Sequence, residues 1–259
     1  MRQSGVRKII FRFAFLPALF ASLCAAANPA GSPGANPGAN PGAVPLSSLK
    51  FNGWAYLLSN GYVRLSHDSN QASSAFDPTP FPLGPEDSFA AYFVYNSQEE
   101  LGQCVADGLA FVAQNTPAGA SYLGEDGSGL GFFTGVASPA IAVTFDYYAN
   151  GITGTPPNTA SIAEPSGIDL ISTTPAPPAL SGSGAYRYVW VTYQNANKTM
   201  KVYYSATPAR PATPLLQTIL PTDLSSLFGG QVYFGVTAGT GSCYSLQSLE
   251  SFGLDVVNQ

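Results

Sequence analysis

The segment Phe145-Asp146-Tyr147-Tyr148-Ala149-Asn150 places a carboxylate, an aromatic ring two residues on and a carboxamide two further on. On a strand end that spacing turns all three to one side. Such a set offers Asp146, the main-chain carbonyl of Tyr148 and Asn150 as hard oxygen ligands of the kind calcium takes. Upstream, Ala106-Asp107-Gly108 adds a second carboxylate. A ring, carboxylates and an amide are what sugar hydroxyls and the apolar face of a pyranose call for. The same residues also read as a strand running into an Asx-rich turn, so the elements around them decide between the two.

Residues 1–27 begin with Arg2, Arg7, Lys8 and Arg12, continue through an apolar run from Phe13 to Leu23 and end in small residues up to Ala27. This is the pattern of a secretory signal peptide cleaved near Ala27. Cys24 raises the alternative of a lipid anchor, against which Leu23 argues, since a lipidated cysteine normally follows a small residue. The apolar run is too short for a membrane span, and no later stretch approaches the roughly 20 apolar residues one needs. The expectation is therefore an exported chain, secreted, periplasmic or at the cell surface. Loss of this segment removes four basic residues and no acidic ones, moving the formal charge from -5 to about -9. A surface so poor in Lys and Arg excludes nucleic acid as a partner.

Only Cys104 and Cys243 then remain. In an oxidising compartment they most simply form one disulfide, the alternative being two free buried thiols. Closing so long a loop stabilises a fold by about 5 kcal/mol in the chain-entropy model. Residues 28–45 repeat Pro33-Gly34-Ala35-Asn36 as Pro37-Gly38-Ala39-Asn40 and trail into Pro41-Gly42-Ala43. That composition buries no core and is expected to form a disordered tether. Residues 46–259 suffice for one domain.

Within that domain, short runs alternate apolar and polar residues between Gly, Pro, Asn and Ser clusters: Tyr62 to Ser66, Phe89 to Tyr95, Gly108 to Ala113, Ile141 to Tyr147, Tyr186 to Tyr193, Met200 to Ser205 and Val232 to Thr237. This predicts an all-β sandwich or barrel. One short helical turn is expected over Asp223 to Leu227. The lone histidine, His67, falls in an early turn and reads as a surface residue. Asn197-Lys198-Thr199 is an N-glycosylation sequon, relevant in a eukaryotic host.

From Leu49 to Leu254 the chain resembles the legume-type (L-type) lectins, including their bacterial relatives. The likeness rests on Gly61-Tyr62-Val63-Arg64-Leu65, Ser74 to Pro80, Ser88 to Val94, Ala106-Asp107-Gly108-Leu109-Ala110-Phe111, Tyr122-Leu123-Gly124, Val143 to Asn150, Trp190-Val191-Thr192-Tyr193 and the closing Gly235 to Phe252, in that order. The resemblance implies a concanavalin-like jelly-roll β-sandwich of two large antiparallel sheets. It implies that Asp107 is the sugar-binding aspartate, preceded by a cis peptide from Ala106. Asn150 matches the asparagine that both ligates calcium and bonds the sugar, and Tyr148 the ring that stacks on the pyranose and lends its carbonyl to calcium. Gly119 to Ser121 match the main-chain donor, and Gly241-Ser242-Cys243-Tyr244 the loop that sets monosaccharide preference. The resemblance also puts Cys104 and Cys243 on one rim, where a bridge between them would tie those loops together in part replacement of lost metals.

Departures concern the metals. The family holds a transition metal beside calcium through Glu-x-Asp, a later aspartate and a histidine. This chain has Thr144 at the glutamate position, no carboxylate in Gly154 to Pro157, and Ser161, or Pro165 on a shifted alignment, at the histidine position. No transition metal is expected. Asp146, the Tyr148 carbonyl and Asn150 persist, which leaves calcium as the one ion in play. Glu125, Asp126, Glu164 and Asp169 are either further calcium ligands or solvated loop charges. An enzyme on this sandwich needs two facing carboxylates, and Thr144-Phe145-Asp146 has lost the first acid of the Glu-x-Asp-x-x-Glu pattern. The expected function is a non-catalytic lectin with a glycan as its partner. The alternative is a structural or adhesive module without sugar binding. A homo-oligomer stays open, because sandwich edges pair in several ways in this family.

Overall fold

The computed structural model describes residues 40–100, 104–148, 158–166, 170–175 and 184–257. In chain order the strands are β1 (Lys50–Gly53), β2 (Tyr56–Leu57), β3 (Val63–Ser66), β4 (Gln71–Phe76), β5 (Phe81–Pro82), β6 (Ser88–Gln98), β7 (Gly108–Gln114) and β8 (Ala140–Asp146). They continue as β9 (Thr159–Ala163), β10 (Leu170–Pro175), β11 (Tyr186–Gln194), β12 (Thr199–Ser205), β13 (Leu216–Ile219), β14 (Gln231–Thr240) and β15 (Leu246–Val257). A front sheet runs β1-β4-β14-β7-β8-β9-β10, with β5 beside β14, and a back sheet runs β13-β12-β11-β6-β15-β3-β2. Every pairing is antiparallel. This is the jelly-roll sandwich of two large sheets that the resemblance implied.

Period-two alternation builds it. From β6, Phe89, Ala91, Phe93 and Tyr95 enter the space between the sheets, where they meet Leu109, Phe111 and Ala113 of β7 and Ile141, Val143 and Phe145 of β8. Phe93 stacks on Phe111 at 6.1 Å and meets Phe145 edge-on at 6.1 Å. The opposite face of the front sheet is covered as well. Ala110, Val112, Ala140 and Ala142 pack there under Tyr122, Leu130, Phe132 and Phe133 of the β7–β8 connection. Small residues on the strands make room for the large ones of that loop, and Tyr122 Oη donates to the Phe132 carbonyl at 2.6 Å, satisfying a buried hydroxyl.

All seven alternating runs fall on strands with shifted ends, and the expected turn is helix α1 (Leu224–Phe228). Asp223 caps it by accepting from Ser226 N at 2.8 Å and Ser225 Oγ at 2.7 Å. Those bonds, the Ser226 N–H first, hold its carboxyl down at about 2.

The end of the repeat segment differs from the expected tether. Ala43 bridges Gly253, Val44 N donates to Phe252 O at 2.9 Å, and Leu254 N donates to Gly42 O at 2.8 Å. Asn40 Oδ1 accepts from the buried Trp190 Nε1 at 2.8 Å. The cause is a partnerless edge: β3 pairs with β15 only as far as Leu249, and the next main-chain groups of β15 need partners that a Gly/Pro-rich backbone supplies without side chains. The leader and the rest of the tether, residues 1–39, lie outside the described residues.

Because Phe93 is fully buried at the centre of this stack, Phe93→Ala is expected to cost about 3–5 kcal/mol in urea unfolding. Ile219→Ala, at a position 67% exposed, is expected to cost under about 0.5 kcal/mol.

Candidate functional site

The register of the front sheet gathers Asp107, Asp146, Tyr148 and the start of the 241–244 loop at one end of the sandwich. Gly53 opposes Ser73, Gln71 opposes Thr240, Gly239 opposes Gly108, and Gly108 opposes Asp146. Asp107 therefore enters β7 between the last residues of β14 and β8. Its N–H donates to Gly239 O at 3.2 Å, and its carbonyl accepts from Tyr147 N at 2.7 Å. The Ala106-Asp107 peptide is cis, and the Ala106 carbonyl accepts from the buried Ser245 Oγ at 3.1 Å. Asp107 is thus fixed through its main chain on both sides while its buried carboxylate points to the rim.

Two glycines stand against that carboxylate. A Cβ added to Gly241 would lie 3.3 Å from Asp107 Oδ2, and one added to Gly127 would lie 3.8 Å from it. Gly127, with φ +52°, is shaped for this approach. Gly119 and Ser121 are not brought here. A Cβ at Gly119 would meet the Tyr233 ring, which sits opposite Gln114 at the far end of β7, and Ser121 Oγ accepts from Lys50 Nζ. The connection after β7 begins at that far end and crosses the sheet before it reaches Asp107, so its later residues form the rim. The glycine density of Gly124 to Gly129 was the available signal.

On the other side, Tyr148 is 42% exposed, whereas Tyr147 is buried, and burial pushes the Tyr147 phenol well above its ordinary value. Asp146 is buried, and its Oδ1 accepts from Tyr148 N at 3.1 Å. Asn150 lies outside the described residues. In the 241–244 loop, Ser242 is exposed and the Tyr244 hydroxyl donates to Glu100 Oε2 at 2.8 Å. That bond raises the Tyr244 phenol. Cys104 and Cys243 are joined as a disulfide with Cα atoms 5.1 Å apart. The bridge links the strand-entry segment of Asp107 to the loop that carries Gly241.

The donors suit a metal pair poorly. Thr144 opposes Ser161 across β8 and β9, and Ser161 Oγ donates to Thr173 Oγ1 at 2.9 Å. Neutral hydroxyls thus stand where transition-metal ligands would be needed, and no cluster of three or more His, Cys, Asp or Glu occurs among the described residues. Calcium takes about 6 to 8 oxygens. Asp146 and the Tyr148 carbonyl are the part of the calcium set retained among the described residues, and they do not complete such a shell. Gly154 to Pro157 and Asp169 lie outside the described residues.

The sequence matches the family model described as Legume lectin domain over residues 44–258, and the chain belongs to that family. The L-type lectin-domain containing receptor kinase VIII.2 of Arabidopsis thaliana is 28% identical over 223 residues, which cover 79% of this chain and 30% of the kinase. The chain thus spans under a third of that relative's length. Among solved structures, the lectin of Bauhinia forficata in complex with GalNAc matches with a TM-score of 0.68 and 21% identity, over 82% of this chain and 94% of that one. Peanut lectin with a 9mer peptide matches with a TM-score of 0.68 and 23% identity, over 86% and 97%. At those identities the likeness shows the fold.

Intact-mass analysis of the expressed domain after alkylation is expected to find no labelled thiol before reduction and two after it. Two labels without reductant would contradict the bridge.

Proposed function

We propose that this chain is an exported, non-catalytic carbohydrate-binding lectin that takes a pyranose between Asp107, Tyr148, Asn150 and the loop of Gly241, Ser242 and Tyr244. The observation that carries the reading is the Asp107 carboxylate, anchored through its main chain at the strand end and set against two side-chain-free positions, with the exposed Tyr148 on the neighbouring β8 end. A carboxylate accepts hydrogen bonds from two sugar hydroxyls at once. Gly127 and Gly241 leave room for ring atoms to approach it, and Gly127 takes the main-chain role first assigned to Gly119 to Ser121. The tyrosine face suits the apolar C–H surface of the sugar.

In this reading the rim is held by the Cys104 to Cys243 bridge and by the hydrogen bonds around Ala106 and Asp107. These take over in part from the transition metal whose donors Thr144 and Ser161 do not supply. Asp146, the Tyr148 carbonyl and Asn150 are the only calcium set we assign, and no step of sugar binding is routed through an ion. Absence of catalysis is supported by Thr144 in place of an acid and by a single histidine, His67, whose ring packs against Trp54 and Tyr56. The loss of metal donors favours one alternative, a structural or adhesive module on the same sandwich.

A glycan array separates the readings. The wild type is expected to bind a defined set of glycans, galactose- and GalNAc-terminated ones being the first to print given the neighbour with GalNAc. Asp107→Ala is expected to lose at least about 2 kcal/mol, a charged hydrogen-bond acceptor's worth. Wild-type silence on every glycan favours the adhesive module, and released reducing sugar would indicate an enzyme.

A further inference from the structure

Three of the seven large hydrophobic residues exposed among the described residues are Trp54, Tyr56 and Leu57, with Trp54 56% and Tyr56 43% exposed. A tryptophan so open is costly in a water-soluble domain unless it meets a ligand or partner. Its rim position is built in. Gly53, at φ +64°, passes so close to β4 that a Cβ there would fall 2.1 Å from Ala72 O, and the next N–H, that of Trp54, donates to the same carbonyl at 3.2 Å. The turn therefore fixes the Trp54 main chain against β4 while leaving its side chain exposed.

His67 props the patch. It follows β3 directly and is partly buried, not the surface residue its turn position suggested. Its ring meets Trp54 at 6.3 Å and Tyr56 at 5.7 Å, both edge-on. Edge-on support on one side leaves broad ring surface open on the other.

The β3–β4 turn joins this platform to the Asp107 rim. Asn70 N donates to Gly241 O at 2.8 Å, and Thr240 Oγ1 donates to Asp68 O at 2.7 Å. Gln71, buried, holds the same turn by accepting from His67 N at 2.9 Å. Gly241 is the nearer of the two glycines that abut the Asp107 carboxylate. Trp54, directly after β1, and the Asp107 carboxylate thus lie at the same end of the front sheet, three strand steps apart along β1-β4-β14-β7, while Tyr56 stands on β2 at the edge of the back sheet. At the usual strand spacing those steps make about 14 Å. A monosaccharide seated on Asp107 cannot span the gap, whereas a short oligosaccharide running across the Gly241 loop can.

We propose that Trp54 and Tyr56, supported by His67, form an extended subsite that stacks a sugar residue two or more units from the one held by Asp107, so that the ligand is an oligosaccharide chain rather than a single sugar. This rests on the lectin reading above and adds length selectivity to it. Aromatic rings suit the apolar faces of hexoses, which leaves the terminal sugar to the Asp107 rim.

The test uses methyl glycosides of galactose, N-acetylgalactosamine, mannose and glucose, and tetrasaccharides carrying each at the nonreducing end. Wild type is expected to bind the preferred tetrasaccharide at least tenfold more tightly than its methyl glycoside. Trp54→Ala is expected to erase that preference, a loss of about tenfold for one aromatic contact, while methyl glycoside affinity and thermal unfolding stay unchanged. Tyr56→Ala should move the same way by a smaller factor. The chain has two tryptophans, and Trp190 is buried, so an emission shift caused by the tetrasaccharide and not by the methyl glycoside, absent in Trp54→Phe, reports the contact directly. If Asp107→Ala abolishes binding but Trp54→Ala leaves the length preference intact, the subsite falls and the lectin reading stands. If no ligand of either length binds the wild type, both fall.

Discussion

The start of β7 hangs between two neighbours by its main chain. Asp107 N–H is bound to Gly239 at the end of β14, and Asp107 C=O is bound to Tyr147 just past β8. Register does the rest: once Gly108 opposes both Gly239 and Asp146, the residues that leave these strands, Gly241 after β14 and Tyr147 after β8, stand beside Asp107. Hydrogen-bonded pairing inside a sandwich with both sheet faces covered cannot slip by one residue without turning Leu109 and Phe111 out of the core. The position of a rim carboxylate is thereby secured by hydrophobic packing far beneath it.

Around that fixed point the molecule uses neutral and covalent links. The hydroxyls of Thr144, Ser161 and Thr173 line adjacent strands. A row of neutral groups needs no ion to offset its charge, unlike a cluster of carboxylates. The Cys104 to Cys243 bridge closes a loop of 139 residues, and it joins the two segments that approach Asp107 from opposite sheets. Ser245 binds inward from the same stretch, donating to Ala106 O and accepting from Ser97 Oγ at 3.1 Å. Together these restrain the loop after β14, which in this reading faces sugar on one side and the β3–β4 turn on the other.

Much of this was legible in the sequence, for reasons that differ between elements. Strands β6 and β11 each set alternate residues into the space between the sheets, and β7 and β8, buried on both faces, were legible as apolar runs that alternate larger residues with smaller ones such as Ala110, Ala140 and Ala142. The longest strand, β15, does not alternate through its length: its register shifts beside Gln247 and again between Leu249 and Ser251, and each shift breaks the period-two pattern that sequence reading relies on. The pairing of Gly42 to Val44 gave no signal, since it is made by backbone groups that any Gly/Pro-rich segment carries, and the Asn40 side chain that meets Trp190 stood in a repeat that read as a tether. Motif reading put forward Asp107, Asp146 and Tyr148, which the strand register brings to one end of the sandwich. Gly127 was missed because the path of the β7–β8 connection over the sheet, set by Tyr122, Leu130 and Phe132 docking on small strand residues, decides which glycine reaches the rim. Trp54, the residue proposed as a subsite, drew no sequence reading because a lone tryptophan in a turn carries no periodicity, and only its exposure and its ring contact with His67 single it out.

The central claim, that a disulfide and main-chain hydrogen bonds hold the sugar rim in place of paired ions, is tested most directly by measuring glycan affinity on one preparation after EDTA and, separately, after a disulfide reductant. Affinity unchanged within about twofold by EDTA and lowered about tenfold or more by reductant is the expected result. Loss of binding in EDTA with no change on reduction would contradict it.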